Sequence, residues 1–306
     1  MNRCVWLHAF AVLTAAATFL LIIAGALVVG HEAGLAVPDW PLSYGTWMPP
    51  MEGGIFYEHG HRMIAATVGL LTVVLAIWLW RTEPRRWVPW LGLVAVIAVI
   101  VQGVLGGITV LYLLPIPVLI GHASLAQAFF CLVLGLALFT SRVWNDPFEQ
   151  VEDVQVPAFR RLCAAMTAAI FIQLALGAAL RHKAFGVLPH LFWAGTVSVL
   201  VVWIAFRAAH KWSHMPQLRL LRNLAVGMPS LLVLQLVLGA GSYWIRIATR
   251  DAVQPQLSTV WITTAHVAVG ALLLGASWVL TLLAYRRLST PKRILSLAGS
   301  PEKTLA

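Results

Sequence analysis

Residues 87–112 read WVPWLGLVAVIAVIVQGVLGGITVLY, without a single charged side chain. A helix apolar on every side is either the heart of a large protein or a membrane span. A bilayer core of about 30 Å is crossed by about 20 apolar residues. Seven further runs meet that length, and the set is expected at 8–30, 61–80, 87–112, 118–141, 160–180, 187–208, 220–244 and 258–285. Polar segments such as Arg81 to Arg86 and Asn145 to Pro157 separate them, and Pro115 and Pro117 mark a short turn. The first run is too long for a signal-peptide core and reads as a retained helix.

Composition agrees. The 306 residues are 60% hydrophobic and 10% charged, with a mean hydropathy of +0.85, far from a soluble domain. The net charge of +10 does not mark a nucleic-acid surface, because the bases lie in short loops between apolar runs. With the N-terminus inside, 16 of the 21 Lys and Arg residues fall on the inner face. Only Arg62, Arg181, Lys183, Arg246 and Arg250 fall outside, which puts both termini in the cytoplasm. Many of the 14 tryptophans lie near the expected helix ends, where amphipathic rings favour the interface. Cys4, Cys131 and Cys163 show no CxxC spacing and lie outside any external segment, so no structural disulfide is expected.

A repeat runs through the helices. The third, fifth and seventh carry Gln, three residues, then a small pair: Gln102 with Gly106-Gly107, Gln173 with Gly177-Ala178, Gln235 with Gly239-Ala240. The first holds a weaker echo, Gly25-Ala26. Each following helix has a histidine near its outer start: His61, His122, His190 and His266. The unit is a helical hairpin used four times. The expected fold is therefore all-α, eight transmembrane helices as two pseudo-symmetric four-helix bundles. The halves would span 1–142 and 158–290, with a cytoplasmic linker at 143–157 and a tail at 291–306.

One histidine in a membrane helix is more often a packing residue than a ligand. Four at similar depth, one per hairpin, pair as His61 with His122 and His190 with His266. Zinc wants three or four ligands, and no Cys, Asp or Glu accompanies the second pair. Haem iron needs two axial ligands, and the small pairs leave room for a flat macrocycle. Arg181 and Arg246 could meet haem propionates or simply anchor at the interface. The halves differ at Glu58-His59-Gly60-His61-Arg62, which sets a carboxylate one turn from the histidine; Val187 stands at the matching place before His190. That asymmetry points to a reacting haem in the first half and an electron-transfer haem in the second. A plain Glu58–Arg62 ion pair is the structural alternative. The long loop 31–57, stiffened by Pro38 and Pro41, could close over the first site.

With Gly34 to Leu42 reading GLAVPDWPL, Glu58 to Arg62 reading EHGHR, and one histidine in each even-numbered helix, the chain resembles the haem A synthase family over nearly its whole length. The resemblance implies an inner-membrane oxidoreductase that converts the C8 methyl group of haem O to a formyl group, giving haem A for cytochrome oxidase assembly. It implies one haem b between His190 and His266, and substrate haem O near His61 and His122. It makes Glu58 the catalytic residue, stabilising a cationic intermediate or moving protons. From their own positions, Arg62, Arg181 and Arg246 are possible propionate or pocket partners. Implied partners are haem O, haem A, the lipid bilayer, a haem O synthase and an electron acceptor, with a homo-oligomer allowed. Many members carry a cysteine pair in the first outer loop; here Val37 and Ser43 occupy that neighbourhood. A diheme b-type electron carrier and a non-catalytic haem-handling assembly factor are the rival readings.

Overall fold

The computed structural model describes residues 2–154 and 156–289; the tail read as 291–306 lies outside the described residues. Eight long helices follow one another: α1 (Asn2–Gly30), α2 (Gly53–Thr82), α3 (Trp87–Leu111), α4 (Ile116–Thr140), α5 (Phe159–Arg181), α6 (Leu188–Lys211), α7 (Arg219–Ala248) and α8 (Leu257–Arg287). All eight are long and apolar enough to cross a membrane, and the chain is a multi-pass membrane protein. Side chains such as Leu70, Ile100 and Val233 lie well exposed along these helices. In lipid such exposure carries no hydrophobic cost, and only the helix form satisfies the backbone.

Each helix packs on its neighbours in sequence within residues 2–140 and again within 159–287. In addition α1 packs on α4, and α5 on α8. The two sets meet through α1 against α8, and α4 against α5 and α8. Leu75, Leu79, Val133 and Leu136 belong to one buried cluster; Met166, Ile204, Leu221 and Leu280 belong to another. Ile22, Phe130 and Ala271 form a third, made by α1, α4 and α8. Small residues permit these approaches: a Cβ at Gly275 would stand 2.8 Å from Leu134 Cδ1 and 3.1 Å from Phe130 Cε1.

Two connections shape the ends. Between α3 and α4 the chain reverses in four residues, with Leu113 and Leu114 both left-handed at φ 57° and 63°. The Leu114 N–H then returns to the Thr109 carbonyl at 2.7 Å. The linker at 143–157 carries local structure. A one-turn helix, Arg142–Asn145, is capped by Ser141. Strand β1 (Val151–Glu152) pairs in parallel with β2 (Leu288–Ser289), and Arg286 donates to the Trp144 carbonyl. Cys131 and Cys163 are both free.

One boundary differs in a way that matters for the site. Helix α2 begins at Gly53 rather than near 61, so the preceding loop is 31–52. The apolar count missed those turns because Glu58, His59 and Arg62 are polar. Their partners lie in the loop folded against them, which removes the usual cost of polar groups at a helix end. A Cβ at Gly54 would stand 2.8 Å from that of Ala36, so the loop needs this glycine to come so close.

Candidate functional site

The repeat seen in sequence is a spatial register. In every hairpin the first residue of the small pair faces the histidine of the next helix. A Cβ at Gly25 would stand 3.2 Å from His61 Cε1, at Gly106 3.6 Å from His122 Cε1, at Gly177 3.1 Å from His190 Cε1, and at Gly239 3.0 Å from His266 Cε1. Each glycine thus makes the space that an imidazole fills, four times over.

The histidines then meet in pairs. The rings of His190 and His266 lie with centroids 6.5 Å apart and planes at 73°. His61 and His122 are close enough to act on each other electrostatically. A metal–imidazole bond of about 2 Å plus roughly 1 Å from nitrogen to ring centre, taken twice, gives about 6 Å. The second pair therefore fits one metal ion between two rings. The Nδ1 atoms of His61, His122 and His266 and the Oε1 atoms of Gln102, Gln173 and Gln235 are buried without a hydrogen-bond partner. Unpartnered polar atoms at such depth are costly, and their gathering around the histidine pairs fits a guest that supplies the missing contacts. No group of three or more His, Cys, Asp or Glu side chains suited to a metal occurs among the described residues. That favours a group needing two protein ligands, as haem iron does.

Beside the second pair, Arg181 reaches across to the Ala26 carbonyl of α1, at 3.5 Å. Neither it nor Arg246 has a carboxylate partner among the described residues. Just past the end of α5, burial and the charges of Arg181 and Arg246 hold the His182 imidazole below its ordinary range. A cationic field of this kind suits carboxylate groups.

The first pair is bounded differently. Glu58 is buried; Arg62 Nη2 donates to its Oε1 at 2.6 Å, and the Val37 N–H donates to its Oε2 at 2.8 Å. The ion pair set out as the structural alternative is thus present. Arg62 Nη1 also donates to the carbonyls of Asp39 and Leu42, at 2.8 and 2.9 Å. Its guanidinium thus clips the loop to α2. His59, which sequence reasoning left without a role, shares a 2.8 Å hydrogen bond with Ser43 Oγ. Val37 and Ser43 are both buried, so the loop is tied down by hydrogen bonds at the two positions noted for lacking cysteine.

Asp39 holds the turn of this loop, accepting from the N–H groups of Tyr44 and Gly45 at 2.7 and 2.8 Å. The Gly45 and Tyr44 amides, with Arg62 beyond them, hold its carboxyl below the usual range. Trp40, next in the chain, rests its indole on Gly107. The signal for that contact was in the sequence: Gly107 is glycine where the other three hairpins have Ala26, Ala178 and Ala240.

Comparison with known proteins follows the same lines. A family profile described as cytochrome oxidase assembly protein matches residues 52–189. A haem A synthase of Geobacillus kaustophilus is 25% identical over 228 residues, covering 67% of this chain and 72% of the relative. That of Symbiobacterium thermophilum is 28% identical over 182 residues, covering 58% of this chain and 59% of its own length. That of Roseobacter denitrificans is 35% identical over 130 residues, covering 38% and 34%. The last two matches thus span less than two thirds of those relatives.

Proposed function

The chain belongs to the haem A synthase family, and from that premise we propose that it oxidises the C8 methyl group of haem O to a formyl group, giving haem A for cytochrome oxidase assembly. The observation that carries the enzymatic reading is an asymmetry. Both halves present a glycine-framed histidine pair, yet only the first sets a buried carboxylate, Glu58, one helical turn from a histidine. A pure electron carrier gives no reason for that difference.

In this reading the two histidine-paired parts are pseudo-symmetric four-helix bundles with different tasks. His190 and His266 would hold one haem b, and Arg181 and Arg246 would offer its carboxylates cationic partners. When bound there, that haem supplies one-electron transfer. His61 and His122 hold substrate haem O. Glu58 keeps one lone pair on each oxygen after accepting from Arg62 and Val37, so either oxygen can take a proton as the methyl carbon is oxidised. Arg62 and Val37 fix the carboxylate's orientation, and loop 31–52 covers the site and excludes water. The Lys and Arg excess on the face opposite that loop supports an inner-membrane placement with the loop outside and both chain ends in the cytoplasm.

The test is co-expression of the chain with a source of haem O, followed by extraction of the pigments. Haem A in the extract, with b-type haem retained by the protein, is the expected outcome. Two equal, non-exchanging b haems and no haem A would replace this reading with the electron carrier.

A further inference from the structure

Residues 40–51, WPLSYGTWMPPM, carry no charged side chain, although they lie in a loop between two helix ends. The other long loops on the same face hold Lys183, and Arg250 with Asp251. Within the stretch Trp47 is 81% and Met48 62% exposed, and Trp40 and Tyr44 are exposed as well. A contiguous apolar surface of this kind marks contact with something other than water.

The segment runs beside the helices rather than above them. The Asp39 and Leu42 carbonyls accept from Arg62. Arg62 sits nine residues past Gly53, about 13 Å inside α2, which is further than an arginine and one hydrogen bond can span. These carbonyls therefore lie below the start of the helix. The Trp40 indole meets Gly107, four residues or about 6 Å short of the end of α3. At that level α2 itself exposes Phe56 and Met63, so the loop turns its apolar side chains outward at a depth where the helix already faces lipid.

The loop backbone suits such a place. Where water is scarce, each unpaired N–H or carbonyl is costly. The Val37 N–H donates to Glu58, those of Tyr44 and Gly45 donate to Asp39, and Ser43 and Thr46 exchange a pair of backbone bonds. The carbonyls of Val37, Asp39 and Leu42 accept from Arg62, and that of Ala36 accepts from the Tyr44 hydroxyl. Pro38 and Pro41 have no N–H to satisfy. A protein partner would bring polar groups of its own, and this internal pairing leaves them little to meet. Trp and Tyr, by contrast, favour the level of the lipid headgroups.

We propose that residues 40–48 are a lipid-contacting surface, seated at the boundary of headgroups and acyl chains in the leaflet on the loop's side, with phospholipid as the partner.

The experiment uses the full chain as purified, reconstituted in phosphatidylcholine vesicles. A nitroxide is attached at Trp47→Cys, at Met48→Cys and, for reference, at Val253→Cys, with label taken up by the unaltered chain as background. Val253 is 95% exposed and lies two residues from Asp251, in a charged loop. Collision with oxygen, which concentrates in lipid, relative to collision with a water-soluble nickel chelate should be several-fold higher at 47 and 48 than at 253. A ratio equal to that at 253 places the loop in water and overturns the proposal. Poor access of both agents to 47 and 48 means that protein covers them, and overturns it too. A second measurement needs no cysteine. With p-benzoylphenylalanine in place of Trp47, which keeps an aromatic ring there, irradiation should add the mass of one phospholipid, as it should in place of Leu70 on the exposed side of α2. A lipid adduct at 70 with none at 47, or a crosslink from 47 to a second chain, overturns the proposal as well.

Discussion

The indole of Trp40 lies against Gly107: a Cβ built on that glycine would stand 2.7 Å from Cδ2 and 2.9 Å from Cε2 of the ring. Its neighbour Gly106 faces His122. One dipeptide of α3 therefore touches both a histidine of the first pair and the outer loop 31–52. Gly107→Ala should push the indole away at a cost of about 1–3 kcal/mol, the usual range for overpacking. Haem A yield should fall while the second-half haem spectrum stays. Adding Trp40→Leu should recover part of the yield by removing the clash. Full yield from Gly107→Ala alone would mean the contact has no part in the reaction.

Glu58 carries two loads that substitutions can separate. In the proposed role as a base it needs ionisable oxygens; as a strut it accepts from Val37 and Arg62. Glu58→Gln keeps an acceptor for the Val37 N–H, whereas Glu58→Ala leaves that N–H and the guanidinium without it. Removing one member of a buried pair costs about 3–5 kcal/mol. Haem A formation should stop in both variants, with the b-type spectrum kept. Limited proteolysis within 38–48 should rise markedly only in Glu58→Ala. Product formation by Glu58→Gln at the unaltered rate would remove the carboxylate from the chemistry.

Much of this was legible in residue order. Eight apolar runs located eight helices because a lipid environment demands length and apolarity and little else. The Gln and small-pair pattern located the hairpins, since a glycine facing an imidazole leaves a fixed spacing. The start of α2 was not legible: Glu58 and Arg62 break the apolar run, and only their contacts with Val37, Asp39 and Leu42, some 20 residues away, permit them in a buried helix end. The pairing of β1 with β2 was equally hidden, because it joins Val151 to Leu288 across the length of four helices. The loop contacts of Arg62 were hidden for the same reason: its acceptors there are the carbonyls of Asp39 and Leu42, which carry no side-chain signature.

The second pair offers a spectroscopic prediction. His190 and His266, 6.5 Å apart between ring centroids, differ in support, since Gln173 holds His190 by hydrogen bonds. His266→Ala should remove or strongly weaken the b-type absorption, and Gln173→Leu should weaken haem retention about tenfold, as lost partners of ligating imidazoles do. Reduced-minus-oxidised spectra of the purified proteins read both. An unaltered spectrum in His266→Ala would end its assignment as a ligand.

The loop offers a pH test at Asp39. Its carboxyl is held low in the folded chain by the Gly45 and Tyr44 amides. A depressed folded value stabilises the turn at pH above the unfolded value of about 3.9, and the gain disappears as pH falls through the folded one. Amide protection at Tyr44 and Gly45, corrected for intrinsic exchange, should therefore stay level from about pH 7 to about pH 5 and fall only in stronger acid. In Asp39→Asn the amides keep a neutral acceptor, so protection should be lower near neutrality and should lose its acid dependence. A wild-type decline already complete by about pH 5 would require a carboxyl titrating above its ordinary range, which two amide donors to the ionised form oppose.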